Sequence, residues 1–515
     1  MPLGCSRLIV FVGLLFVFTG WTVSQDDRTT DHLEGLRENR PIDVVLMNAD
    51  IIVRPGSLIK NGVIVIRSGM IQRVGDHTIP IPEDLKSIDL AGKTIYPGFI
   101  DAFSEQEVST EAVEAGAAYW NANIRPQLAM ADQYQIDDDL NSDLREQGIT
   151  ARLVAPAGGI LKGTSCFVLT GQGNLQQSLL NANVAHHARL TVSRRSSRGG
   201  TRPAYPNSPM GAVALARQAI IDAKWYSQAN RAAKADPLIP KPDTNDALEA
   251  LQAVISQQST VIFDTSNELY FLRADRFSRE FGLKSILRGS GFEFRRLDAI
   301  AKTGRPILLP VNFPAAPNVT SYETALNVSL ETLMEWDIAP ENPARVAQAG
   351  IPFAFCSSGL SSPKDYLKNI RKAVQRGLSA NDALSALTIT PAQLLNVEKS
   401  VGTIAPGKMA NLVITDGELF QSETKILETW VRGARFQTKK KLSYTIDGDW
   451  ELKTTDPNGK QLALQVTIEK KSGSLTVPQS RSKKAPQEAK QKKGGKNKTK
   501  PGSKDKSAPD DEVKF

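Results

Sequence analysis

Tyr96 to Gln106 reads YPGFIDAFSEQ. Pro97 and Gly98 punctuate the chain, and a short apolar strand then runs from Phe99 into Ser104, Glu105 and Gln106. Upstream, VVLMNADIIV, GVIVIRSGMIQRVG and SIDLAGKTIYPG alternate apolar and polar residues between Gly, Asp and Pro turns, the signature of half-buried β-strands. Downstream the period changes. Short apolar runs (ARLVAP, TVIFDTS, SILRGSG, PILLPV, IPFAFCSS) alternate with helical patterns (ALARQAIIDAKWY, NDALEALQAVISQ, EFRRLDAIAKTG, PKDYLKNIRKAVQRG). Ser362 followed by Pro363 marks the start of the last helix. Strand–helix alternation over roughly 300 residues suits a (β/α)8 barrel, whose usual size is about 250, with a doubly wound open sheet as the competing α/β architecture. No GxGxxG follows a strand and no GxxxxGK[ST] occurs, so nothing calls for a nucleotide.

After Gly402 the chain returns to strands in GTIAPGKMANLVITDG and ETWVRGARFQ. A β block on each side of the barrel points to one small β-sandwich built from both flanks. TIDGDWELKTTDPNGKQLALQVTIEKKSGSLTV reads as a further antiparallel unit with Asn458-Gly459 at its hairpin turn. The expected boundaries are a signal peptide at 1–24 and a flexible leader at 25–42. The sandwich takes 43–97 and 402–445, the barrel 98–401, the small β unit 446–477 and a Lys-rich disordered tail 478–515.

The chain has 515 residues, 41% of them hydrophobic and 23% charged, which are globular values. Its net charge of +8 is unevenly placed. Residues 480–515 carry twelve basic and five acidic side chains, a net of +7, which leaves about +1 for everything before them. The body therefore lacks the footprint of a nucleic-acid-binding protein, and the tail has no interleaved aromatics for base stacking. The tail is suited to an acidic surface such as a headgroup layer or cell-wall polymer. At the other end, Arg7 precedes the apolar run LIVFVGLLFVFTGW from Leu8 to Trp21, and Thr22 and Ser24 offer small residues for cleavage. This reads as an export signal, with an uncleaved anchor as its rival, and implies a periplasmic or envelope location. Cys5 precedes the run, so the mature chain holds only Cys166 and Cys356. Two cysteines make no disulfide framework and are expected as buried free thiols.

These pieces, in this order, resemble the amidohydrolase superfamily, in particular its imidazolonepropionase-like branch. The marks are DVVLMNADIIV with IRSGMIQRVG, IDLAGKTIYPGFID, GITARLVAPAGGILKGTS, AYPNSPMGAVALARQAIIDAKWY, and TPAQLLNVEKSVGTIAPGKMANLVITDG. The resemblance covers about residues 43 to 436. It implies a distorted (β/α)8 barrel with a small β-sandwich from both termini. It also implies one or two divalent metals, usually zinc, at the C-terminal ends of the barrel strands. The family's ligands are a His-x-His pair, a carboxylated Lys or a Glu, two further His and a final Asp, and a metal-bound hydroxide attacks a carbonyl-type carbon. Such catalysis needs about three protein ligands and a water whose pKa the metal lowers.

Carried onto this chain, the His-x-His pair falls on Phe103 and Glu105. The next two His fall on Asp264 and Arg288, and the final Asp on Ser358. None of the five keeps the family's residue, and Arg288 opposes a cation by Coulomb repulsion. The chain has four His: His32 in the leader, His77 in the β block, and the adjacent pair His186 and His187. Neighbouring residues diverge and cannot chelate one ion, so this pair is expected as surface or loop histidines. An odd metal site from Cys166, Cys356, Asp264 and Glu105 is the remaining metal option. Cys356, Ser357 and Ser358 lie at the expected mouth, where a nucleophile needs an adjacent base. Only Lys162 is near enough in the pattern, and it reads as a solvated loop lysine. Asp264 and Arg288 are instead candidates to pair across the mouth.

Two functions follow. One is a catalytically degenerate member with no metal cofactor that acts by binding, its ligand a small molecule of unknown identity. The resemblance implies as its partner an intact amidohydrolase subunit or a second copy of this chain. The other is an active hydrolase of C–N bonds with a remodelled site.

Overall fold

The computed structural model describes residues 42–109, 118–192 and 205–438, together with short strands beyond residue 447. The sequence expectations for the export signal, the leader with His32, and the Lys-rich tail lie outside the described residues, apart from the two-residue strand Val513–Lys514. The chain divides into two compact units, one ending at Thr438 and the other running from Lys439 to Phe515.

The first unit opens with β1 (Val44–Arg54), β2 (Ser57–Arg67), β3 (Met70–Gly75), β4 (Lys86–Asp89) and β5 (Thr94–Pro97). It ends with β16 (Leu412–Thr415), β17 (Ile426–Val431) and β18 (Ala434–Gln437). All eight form one sheet in the order β18-β17-β16-β5-β1-β2-β3, with β4 also paired to β1. The two flanks meet where β16 lies antiparallel to β5, Leu412 opposite Pro97 and Ile414 opposite Ile95. Alternate residues Val44, Leu46, Ile64, Ile66, Ile95, Leu412, Ile414 and Trp430 point to one side and form a single core. The expected sandwich thus takes the form of one mixed sheet drawn from both flanks.

Between the flanks the described residues form ten more strands: β6 (Phe99–Gln106), β7 (Ile149–Pro156), β8 (Leu161–Thr164), β9 (Cys166–Leu169), β10 (Leu179–Asn181), β11 (His186–Ala188), β12 (Val261–Asp264), β13 (Ser285–Arg288), β14 (Ile307–Pro310) and β15 (Phe353–Cys356). They make two sheets. One has the order β10-β9-β7-β6, with β6 and β7 parallel. The other has the order β15-β14-β13-β12-β11-β8, parallel from β11 to β15, with β8 antiparallel to β11. These strands are buried on both faces, which is why they read as apolar runs rather than alternations. Ile262, Ile286, Leu308 and Ala354 face an inner core with Ile100 and Phe103, while Phe263, Leu287, Leu309 and Phe355 face an outer core under the helices.

Local chemistry accounts for the helices. Pro209–Ala235 starts on Ser208, whose hydroxyl accepts from the Gly211 amide, with Pro209 in its first turn. It buries Ala212, Leu215, Ala216, Ala219, Ile220, Ala223 and Tyr226, a 3.6-residue stripe. Glu268–Phe281 is capped by Asn267 and stopped by Gly282 in the left-handed region. The expected helix NDALEALQAVISQ breaks at Leu251 into Asp246–Ala250 and Gln252–Ile255, and EFRRLDAIAKTG divides into a 3-10 turn, Glu293–Arg296, and a short helix, Leu297–Ala301. The helix after Ser362-Pro363 begins one turn later, at Asp365.

In the second unit, β19 (Gly448–Thr455), β20 (Gln461–Glu469), β21 (Ser472–Thr476) and β22 (Val513–Lys514) form an antiparallel sheet in that order.

Candidate functional site

Parallel register brings the first two site residues together. Asp264 and Arg288 end their strands directly opposite one another on β12 and β13. Period-two alternation puts Asp264 on the side of Ile262 and Arg288 on the side of Ile286, so both face the inner space at the C-terminal strand ends. Arg288 Nε donates to Asp264 Oδ1 at 2.5 Å, and its Nη2 donates to the same oxygen. Asp264 and Arg288 are thus paired at the ends of adjacent strands.

Three more side chains complete the cluster. Glu105, near the end of β6, accepts from Lys162 Nζ at 2.5 Å, and the same ammonium lies 3.4 Å from Asp264 Oδ2. Arg189, the residue after β11, donates from Nε to Asp264 Oδ2 at 2.5 Å, donates to the same oxygen from Nη2, and lies 3.5 Å from Glu105. Two carboxylates and three cations are thus interlocked. Burial by itself would raise the Asp264 carboxyl pKa, but Arg288, Lys162 and Arg189 together hold it far below the usual carboxylate range. Asp264 drives Arg288 the other way, keeping it protonated despite burial.

Lys162 corrects a sequence expectation. It is no solvated loop residue; it is fully buried on β8, with its ammonium paired to Glu105 and Asp264. A base at this position would have to give up both ion pairs. Arg189 was not among the sequence candidates. The one available signal was position: it stands two residues after His187, on the same face of an extended segment.

The histidine pair is also corrected. His186 and His187 lie on β11 and are both buried. Neither ring nitrogen of His187 has a hydrogen-bond partner, and its ring packs 5.6 Å from Phe103. Burial pushes the His187 pKa well down, aided by Lys162, and pushes His186 down to about 4. Both are neutral core residues. His77 is exposed in a turn.

Phe103 is fully buried, with the Arg288 guanidinium 5.9 Å from its ring centre. Cys166 and Cys356 are free and buried, and burial raises both thiols, Cys166 to about 12. Neither has the lowered pKa of a reactive cysteine. Ser357 Oγ donates to Asp101 Oδ2 at 2.5 Å, and Asp101 Oδ1 accepts the Ser357 and Phe103 amides at 2.8 and 3.3 Å. Burial raises Asp101 to about 6 against the lowering effect of these bonds. Ser358 lies half-buried in the next turn and takes no part in the ion pairs. Asp101–Ser357 and Glu105–Lys162 both cross between the two sheets.

The amidohydrolase family model matches residues 341–445. An amidohydrolase from Thermotoga maritima aligns over 77% of this chain and 100% of its own length, at 18% identity and a TM-score of 0.61. The family model thus covers about a fifth of the chain, and the structural likeness extends the amidohydrolase fold over most of it. An adenine deaminase of Mesorhizobium japonicum is 35% identical over 77 residues, 15% of this chain and only 12% of the deaminase.

Similarity to this superfamily raises the question of a metal, and the donor set answers it poorly. Among the described residues no three His, Cys, Asp or Glu side chains converge on one point. The two acids at the mouth are already neutralised by cations. A divalent ion about 5 Å from one fixed cation meets roughly 7 kcal/mol of repulsion at an effective dielectric near 20. Two carboxylates offset two such cations and leave the third. These residues do not fit the superfamily's metal.

Proposed function

We propose that this chain is a non-hydrolysing member of the amidohydrolase superfamily that acts by binding rather than by turnover. The observation that carries this reading is the occupation of the strand ends by Lys162, Arg189 and Arg288, which saturate Glu105 and Asp264. A metal-bound hydroxide needs open carboxylate or imidazole donors, and here Glu105 and Asp264 are committed and His186 and His187 lie in the core. On the same reading the two inner sheets are one distorted (β/α)8 barrel whose seams are fastened by Asp101–Ser357 and Glu105–Lys162. The flanking sheet stands for the family's small sandwich. The apolar run at Leu8 to Trp21 supports export to the envelope.

The test is metal analysis of the purified full-length chain together with assays on a panel of cyclic amides, lactams, dipeptides and aminopurines. Substoichiometric zinc, iron and manganese with no turnover is the expected result. One firmly held metal per chain, with hydrolysis of any panel member, would sink the proposal.

A further inference from the structure

Two exposed faces of this chain complement one another. The first lies in the connection after β14. Helices Tyr322–Leu326 and Leu330–Ile338 bury none of their residues. Tyr322, Leu326, Leu330 and Met334 are each at least half exposed. Leu330, Leu333 and Met334 share one helix face by their spacing. Residues 306–338 contain Glu323, Glu331, Glu335 and Asp337 but no Lys or Arg. Glu335 is held by Arg295, which also lies 3.7 Å from Glu331, Asp337 is held by Arg376, and Lys372 lies over the Trp336 ring, while Glu323 is exposed at the rim. This face is apolar, and its border has four acids, Glu323, Glu331, Glu335 and Asp337, against three cations, Arg295, Arg376 and Lys372.

The second face is the outer stripe of helix Pro209–Ala235. Met210, Ile221 and Trp225 are exposed and follow one another at spacings of 11 and 4 residues, close to whole turns. Trp120, stacked on Tyr205, extends the stripe at the helix's N-terminal end. The flanking charges are Lys224, Arg231 and Lys234, all exposed. The helix has one acid, Asp222, already occupied by the Tyr119 hydroxyl and Gln218. This face is apolar with a basic border.

Each face stays open within its own copy, because both are exposed in the folded chain. We infer that the acidic face of one molecule docks on the basic helix of a second copy, giving a head-to-tail contact. Apolar centres exclude water and opposite borders set partner and register. A heterologous contact of this kind repeats into a ring or an open chain. The inference is independent of the chemistry at the strand ends.

The test is sedimentation velocity on the full-length chain and on two variants, Trp225→Asp and Leu330→Asp. Both positions are exposed, so unchanged far-ultraviolet dichroism and melting show that the variants fold. The wild type should associate at micromolar concentration, less so at high salt, and each variant alone should be monomeric. Mixed in equal amounts the variants should form a dimer and nothing larger, since each retains one intact face. A monomeric wild type, a single variant that still associates as the wild type does, or a mixture that stays monomeric would each overturn the proposal.

Discussion

Asp264 carries the mouth. Its carboxylate is nearly inaccessible and takes bonds from two guanidinium groups with a third cation alongside. An Asn there would leave Lys162, Arg189 and Arg288 clustered with Glu105 as their one neutralising acid. Breaking a buried pair costs about 3–5 kcal/mol, because the abandoned charge cannot recover its hydration. Asp264→Asn is expected to lower unfolding stability by that amount in urea titrations, and Arg288→Gln added to it should recover part of the loss. The pH dependence has a definite sign. The folded carboxyl is held below its unfolded pKa, so its stabilisation is fully present above that value, about 3.9. It is lost as pH falls further. The gap between wild type and Asp264→Asn should therefore hold unchanged from pH 7 to pH 5. A gap that closes in that range would mean the carboxyl is not held down by its neighbours.

At the scale of elements, two tight turns hold the flanking sheet together. Ser68-Gly69 joins β2 to β3 and Arg432-Gly433 joins β17 to β18, all four residues with positive φ. This is the hairpin turn whose twist matches its strands. The turns also touch: a Cβ on Gly69 would lie 2.4 Å from the Arg432 carbonyl oxygen, and one on Gly433 would lie 2.7 Å from Gly69 Cα. Ala410 bonds both, donating to Gly69 O and accepting from Gly433 N. The approach thus joins an N-terminal hairpin to a C-terminal one. Gly69→Ala should cost more than about 2 kcal/mol, the left-handed penalty plus a backbone clash. A melting temperature equal to the wild type's would show that the turns can separate freely.

At the scale of the whole first unit, its apolar cores draw on residues between 42 and 436. A chain ending after Thr438 keeps every one of them and should fold and melt cooperatively on its own, and an insoluble product would show that the first unit is not self-sufficient. Ending after Val401 is a different matter. It removes β16, the partner of β5, together with Trp430, and leaves an unpaired apolar edge. That protein should be insoluble when expressed, and a soluble, cooperatively melting product would contradict the account of the sheet.

Much of this was legible along the chain. Apolar runs such as VIFD and FAFC, fully buried on both faces, announced parallel strands, and their last residues announced the mouth. Register then follows, so Asp264 and Arg288 could be paired from sequence. The two flanking β blocks were legible by alternation, though not that they form one sheet. What sequence could not supply was the surroundings of Lys162, Arg189 and His187. Lys162 follows Gly158 and Gly159, which reads as a loop, yet β8 runs antiparallel to β11 and turns the side chain inward. Its partners are 57 and 102 residues away, and Arg189 reaches Asp264 across 75. Local pattern decides which strands form and where they end. Only the packing of the two sheets against each other decides which charges share a space away from water, and so which acids at the strand ends are tied up in ion pairs.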